Sequence, residues 1–274
     1  MKTIRLSPII RRITANNSNM FTGPGTNSYL LGDQEISIID PGPALIDHID
    51  DLISISGSYL KQIIITHTHP DHSPGASILK EKLGIPILGL TTESSLERDE
   101  PIDIDQQISH GDFIQTNEYT LEVIHTPGHA SNHLCYLLKE ENILFTGDHI
   151  MQGSTVVIAP PDGNMTEYLH SLNLLKEYNI SKIAPGHGEL IHDPIKIIDS
   201  IIEHRLGREK KVLEKLNKIG PSTIDELIIE VYDDVSAILH PIAKWSLEAH
   251  LIKLNENKKV AKNRQLYSLS LIHI

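Results

Sequence analysis

The segment Thr66-His67-Thr68-His69-Pro70-Asp71-His72 places three imidazoles and one carboxylate within six consecutive positions. It lies where an apolar run ends and Ser73-Pro74, a helix N-cap followed by a first-turn proline, begins. In extended backbone, residues i and i+2 point the same way, so His67 and His69 can meet on one cation. The following turn sends Asp71 and His72 toward a neighbouring cation. Neither a turn nor a helix start requires imidazole at these positions, so a solvated polar loop is a poor account of the segment. Three further candidates follow apolar runs and sit beside glycine: His129 in Thr126-Pro127-Gly128-His129, Asp148 in Thr146-Gly147-Asp148, and His187 in Pro185-Gly186-His187. Each alone is as well read as a surface turn residue or a cap. With the first motif they converge on one metal chemistry.

Imidazole mixed with carboxylate suits borderline divalent ions, zinc first, with iron or manganese as alternatives. Two such cations sharing a water bring its pKa toward neutrality and hold a hydroxide toward the substrate. The expected reaction is therefore hydrolysis without a side-chain nucleophile. Asp71 is the expected catalytic residue, orienting the hydroxide and moving its proton. His133, His149 and Tyr168 lie near these motifs and read as residues that orient ligands rather than as catalytic groups.

Short strand-like runs alternate with helical ones along the first 200 residues, the pattern of a layered α/β architecture. Strands are expected at residues 36–39, 62–66, 84–90, 119–125, 133–139, 142–145 and 180–184. Helices are expected at 44–56, from Ser73 to a stop at Gly84, and after Thr166 as cap, with Leu169, Leu172 and Leu175 facing inward. Beyond residue 200 the pattern turns mostly helical: Leu206, Val212, Leu213 and Leu216 share a face, and residues 220–223 make a break with a cap. Runs at 223–232 and 237–255 and a hairpin near Val260 and Leu266 complete a small winged-helix-like unit. Domains are thus expected at 1–200 and 201–274.

The formal net charge of -12 repels polyanions at long range, yet residues 204–264 hold 12 of 24 Lys+Arg and 9 of 36 Asp+Glu, leaving +3 there and -15 elsewhere. The plain reading of that segment is a solvated helical surface. Cys135 is the only cysteine, which excludes an intramolecular disulfide and points to a reducing, cytoplasmic setting. It sits in an apolar strand, where a thiol acts as a small filler. No apolar run is long enough for a membrane helix. The basic N-terminus alternates like a strand and reads as part of the fold rather than as a targeting signal.

The pattern His-x-His-x-Asp-His, then His, Asp and His, resembles that of the metallo-β-lactamase superfamily, with all seven positions filled in order. The resemblance implies a four-layer αβ/βα sandwich, with His67, His69 and His129 on one metal, Asp71, His72 and His187 on the other, and Asp148 bridging both. Residues His204-Arg205 with Arg208-Glu209, Thr223 with Glu226-Leu227, Ala249-His250-Leu251, Pro160-Pro161-Asp162-Gly163 and Tyr168 with Ser171 are similar to the β-lactamase-like protein 2 branch. That resemblance implies an endoribonuclease acting on single-stranded RNA, with a winged-helix-like C-terminal domain. The alternative is thioester hydrolysis of the glyoxalase II type, which the same metal set and the acidic net charge suit. A flavin-linked relative would normally carry an acid at His69, and a non-enzymatic relative would have lost ligands.

Overall fold

The computed structural model describes residues 3–99 and 101–270, and of Leu96, Glu97 and Arg98 the backbone alone. Two-residue alternation along the strands sets the layering, because successive side chains of a strand serve opposite faces. The first sheet runs β1 (Ile4–Arg5), β2 (Ile10–Thr14), β3 (Asn27–Leu31), β4 (Ile36–Ile39), β5 (Leu60–Ile64), β6 (Ile87–Gly89) and β7 (Gln106–Gln107). Its pairs are antiparallel up to β4 and parallel from there on. The second sheet runs β12 (Lys182–Pro185), β11 (Ile143–Gly147), β10 (Leu134–Leu138), β9 (Thr120–His125) and β8 (Phe113–Gln115). Within it only the β11–β12 pair is parallel.

Tyr29 and Leu31 of β3 join Leu134, Tyr136 and Leu138 of β10 in the core between the sheets. The alternate residues face outward onto helices. Leu30, Ile38 and Ile63 pack on Ile49 and Leu52 of α1 (Ile46–Ser56) and on Ala76 and Leu79 of α2 (Pro74–Leu83). Cys135, Leu137 and Leu144 pack on Leu169, Leu172 and Leu175 of α4 (Met165–Leu175) and on Ile198 and Ile201 of α5 (Pro194–Ile219). The result is the four-layer sandwich, with α3 (Glu93–Arg98) between β6 and β7 in the chain.

Helix α5 runs unbroken out of this sandwich. Its second half, through Val212 and Leu216, shares a separate core with α6 (Ile224–Val231), α7 (His240–Glu256) and the hairpin of β13 (Val260–Asn263) and β14 (Leu266–Leu269). Thr223 and Glu226 close a reciprocal capping box at the start of α6. Among the described residues no helix is long and apolar enough to cross a membrane.

Several boundaries move for physical reasons. The strand expected at 62–66 is Leu60–Ile64, because Thr66 gives its amide to the Asp40 carboxylate instead of a neighbouring strand. The run expected at 84–90 pairs only over Ile87–Gly89. Ser73 precedes α2, but its hydroxyl donates back to the carbonyls of Thr68 and His69 and caps nothing. Asn164, not Thr166, caps α4, accepting from the amides of Thr166 and Glu167. Leu206 is exposed, since α5 at that point faces away from both cores.

The sheets are joined by polar bonds at the ends of β3, β5 and β10. The Leu134 amide donates to Thr66 O at 2.8 Å, and the Asn27 amide to Gly186 O at 2.8 Å. The Tyr29 and Tyr136 hydroxyls donate to Pro185 O and Ile65 O at 2.7 and 2.6 Å. Burial raises the Tyr136 pKa well above its usual value, so the phenol stays a donor. Tyr136→Phe leaves a buried acceptor short of its partner and is expected to cost about 1–3 kcal/mol in urea denaturation. Unchanged stability would show that this bond does not tie the sheets.

Candidate metal centre

Strands β5, β9, β11 and β12 all deliver functional residues just past their C-terminal ends, into the crevice between the sheets. His67, His69, Asp71 and His72 follow β5, His129 follows β9, Asp148 follows β11 and His187 follows β12. Gly147 and Gly186 permit the approach. A Cβ on Gly147 would stand 2.5 Å from Thr66 Oγ1, and one on Gly186 would stand 2.7 Å from His72 Cε1. Gly147 also has a positive φ of 45°, which disfavours a side chain independently of space.

All seven predicted residues come together, in two groups. The donor atoms of His67, His69 and His129 lie within 4.8 Å of one another, and so do those of Asp71, His72, Asp148 and His187. Asp148 reaches both: its Oδ1 is 3.2 Å from His72 Nε2 and 3.1 Å from His187 Nε2, while its Oδ2 is 3.7 Å from His129 Nε2. Of the seven, Asp71 has the most exposed side chain, at 27%.

Proton positions follow from the partners behind the rings. The Thr66 hydroxyl donates to Asp40 Oδ2 at 2.7 Å, so toward His67 Nδ1 at 2.9 Å it must accept, and His67 Nε2 carries a bare lone pair. His72 Nδ1 donates to the same Asp40 oxygen at 2.9 Å, His129 Nδ1 to Val157 O at 2.8 Å, and His187 Nδ1 to Gly25 O at 3.1 Å. Every one of these Nε2 atoms therefore faces inward as the atom that would hold a cation. In the first group His67 Nε2 lies 2.9 Å and His129 Nε2 3.0 Å from His69 Nδ1. A divalent cation reconciles such facing nitrogens, and the donor set fits one in each group.

Protons compete with a cation for the second group but hardly for the first. Burial, followed by the charges of His72 and His69, holds His67 well below its usual pKa, and burial lowers His129 against the pull of Asp148. For His72, burial opposes the charge, yet Asp71, Asp148 and Asp40 together raise the pKa well above normal. His187 is raised to about 9, Asp148 overcoming burial. Burial pushes the Asp71 carboxyl up, but His72 and His187 bring it below the ordinary range, so it is ionised at neutral pH.

His133, His149 and Tyr168 are fully buried behind this crevice. His133 bonds Thr126 Oγ1 at 2.9 Å with its ring 5.0 Å from that of His67, and the Tyr168 hydroxyl donates to His149 O. Burial lowers both histidines, His149 to about 3, so neither is an imidazolium at neutral pH. Asp40, directly after the strand expected at 36–39, carries no mark of its own in the sequence as a site residue. Asp40 has a positive φ of 50°, and its carboxylate takes the Thr66 amide, the Thr66 hydroxyl and His72. An acid directly after a buried strand, ahead of Pro41-Gly42-Pro43, was the available signal.

A cavity of about 510 Å3 opens on the cluster, walled by Phe21, Pro43, Val157, Ala159 and Trp245 and floored by His69, Asp71, His129 and Asp148. A second, of about 310 Å3, shares His129 and Asp148 and reaches α5 and α7.

Residues 21–187 match the family described as the metallo-beta-lactamase superfamily, and residues 223–268 match the beta-lactamase associated winged helix domain. The chain is 32% identical to a beta-lactamase-like protein 2 homolog of Caenorhabditis elegans, over 94% of this chain and 84% of that protein. It is 31% identical to an atrochrysone carboxyl ACP thioesterase of Aspergillus chevalieri, with the same coverage, 94% and 84%. In structure it resembles a metallo-beta-lactamase family protein of Thermus thermophilus with a TM-score of 0.82 and 21% identity, covering 97% of this chain and 100% of that one.

Asp40→Ala removes the acceptor that fixes His72 directly and His67 through Thr66. Metal affinity is expected to fall about 10- to 100-fold in a chelator competition titration, with the fold retained by circular dichroism. Unchanged affinity would show that Asp40 does not orient the ligands.

Proposed function

This chain belongs to the metallo-beta-lactamase superfamily, and from that premise we propose that it is a two-metal hydrolase of thioesters. In this reading His67, His69 and His129 hold one cation, Asp71, His72 and His187 the other, and Asp148 is shared. Zinc suits the imidazole-rich set best, with iron or manganese as alternatives. The division expected at residue 200 falls inside α5, whose first half packs on the sandwich through Ile198 and Ile201 and whose second half joins the C-terminal core, and the free, buried Cys135 suits a reducing cytoplasm.

The observation that carries the substrate class is what the basic residues of the C-terminal unit are doing. Arg208 pairs with Asp234, Lys211 with Asp233, Lys215 with Glu230, Lys244 with Asp225 and Lys253 with Glu209. A polyanion would have to displace these partners before gaining contacts of its own. The apolar walls of Phe21, Val157, Ala159 and Trp245 suit an acyl chain instead. The activity named for the Aspergillus relative is of the same class.

When bound, the cation pair supplies Lewis acidity toward the scissile carbonyl oxygen and acidifies a water molecule. Asp71 is the member of the set with most access to the cavity and is ionised at neutral pH, so it takes the proton. Its Oδ2 stands 3.2 Å from His187 Nε2, the two atoms belonging to the same group of donors that would hold the second cation. The buried Asp40–Thr66–His67 chain keeps the ligand rings from turning.

A second reading, cleavage of single-stranded RNA, is favoured by Lys258, Lys259, Lys262 and Arg264, which are exposed on and beside the β13–β14 hairpin. A short acyl thioester and a fluorescent single-stranded RNA, each assayed with and without chelator, separate the two. Chelator-sensitive release of thiol is expected, whereas RNA cleavage without thioester turnover would replace the first reading with the second. Asp71→Ala, assayed with saturating metal, is expected to lower kcat about 10²- to 10⁴-fold. Full turnover in that variant would remove Asp71 from the reaction.

A further inference from the structure

Arg205 of α5 is 3% exposed, and its charge is unmatched. Its Nη2 donates to the Val156 carbonyl, its guanidinium lies 5.4 Å from the centre of the Tyr168 ring, and its Nε finds no acceptor. Among the described residues no carboxylate stands within ion-pair distance of it. The acids around it are committed elsewhere. Glu209, one turn further along α5, gives its two oxygens to Lys253 at 2.7 and 2.8 Å, and Asp234 takes Arg208 at 2.7 and 3.0 Å. A guanidinium cannot shed its proton, and a buried cation without a counter-charge is strongly unfavourable.

Arg205 lines the cavity of about 310 Å3 that His129 and Asp148 also line. The loop between them is tied at both sides: Val156 O takes Arg205, the next carbonyl, Val157 O, takes His129 Nδ1, and the Ile158 amide donates to Ser246 Oγ of α7 at 3.3 Å. One space thus joins the hydrolytic centre to an unmatched buried cation. A single surplus charge matches a monoanion, and the planar fork of a guanidinium matches a carboxylate. A volume of about 310 Å3 suits a short acyl chain.

We infer that Arg205 binds a carboxylate on the acyl part of the substrate, so that the preferred substrates are thioesters of dicarboxylic or otherwise acid-bearing acyl groups. This rests on the hydrolase reading above and narrows it. The test uses the metal-loaded full chain, wild type and Arg205→Met, with glutarate binding measured by calorimetry. It also compares turnover of glutaryl and methyl-glutaryl thioesters of N-acetylcysteamine. Arg205→Met is expected to weaken glutarate binding and to raise the KM for the glutaryl thioester about 10- to 100-fold more than that for the methyl ester. Should that variant melt below the assay temperature, Arg205→Lys takes its place and is expected to raise the glutaryl KM more than that of the methyl ester. Equal glutarate affinity in wild type and variant, as binding through the metals alone would give, overturns the proposal. So does an equal loss on both thioesters, or inorganic phosphate binding more tightly than glutarate. If neither thioester is hydrolysed, the thioester reading fails by itself, and the glutarate affinities still decide the role of Arg205.

Discussion

The structure depends on one buried carboxylate. Asp40 sits behind the crevice, 1% exposed, and takes the Thr66 amide, the Thr66 hydroxyl and His72 Nδ1. Each of these bonds fixes where a proton is. With the Thr66 proton spent on Asp40, His67 must donate from Nδ1, and with His72 donating from Nδ1 its other nitrogen is the one left to face a cation. One acid therefore sets the tautomer of a ligand in each of the two groups. Val157 and Gly25 carbonyls do the same for His129 and His187. The rings are aimed before a cation arrives, so its binding does not have to order them.

Placing that network requires the two sheets to be locked at one end. Strands β4 and β5 of one sheet and β9, β11 and β12 of the other end in the same crevice, and the Leu134 amide, the Asn27 amide and two tyrosine hydroxyls cross between the sheets there. Glycines 147 and 186 let the backbone come close enough for the side chains to meet. The C-terminal unit adds the remaining wall. Helices α5 and α7 close the crevice from the side, and Arg208, Lys215 and Lys253 are neutralised by acids of the same unit, so what it offers the site is shape, apolar surface and the buried Arg205.

Much of this was legible in the sequence, and the reasons differ by element. The continuous apolar run at 134–138 reported a strand covered on both faces, because apolar side chains were needed on both. The seven site residues were legible because imidazole and carboxylate after apolar strands have no packing purpose. Asp40 was not, since an acid before Pro-Gly-Pro is also what an ordinary turn would carry. The acceptors at Val157 O and Gly25 O were invisible, because a backbone carbonyl 28 or 162 residues away leaves no mark on residue type. The basic segment at 204–264 read as a solvated surface, but packing of α5 against α7 and the sandwich buries Arg205 and Arg208. Burial of that kind depends on long-range contacts that local composition does not record.

The central claim is that seven side chains, drawn from four strand ends, hold a pair of divalent cations. An anomalous difference map collected at the absorption edge of the metal found in the purified protein tests it most directly. Two peaks per chain are expected, one among His67, His69 and His129 and one among Asp71, His72 and His187, with Asp148 reaching both. A map with no peak in this crevice, or with the metal held elsewhere on the chain, would contradict it.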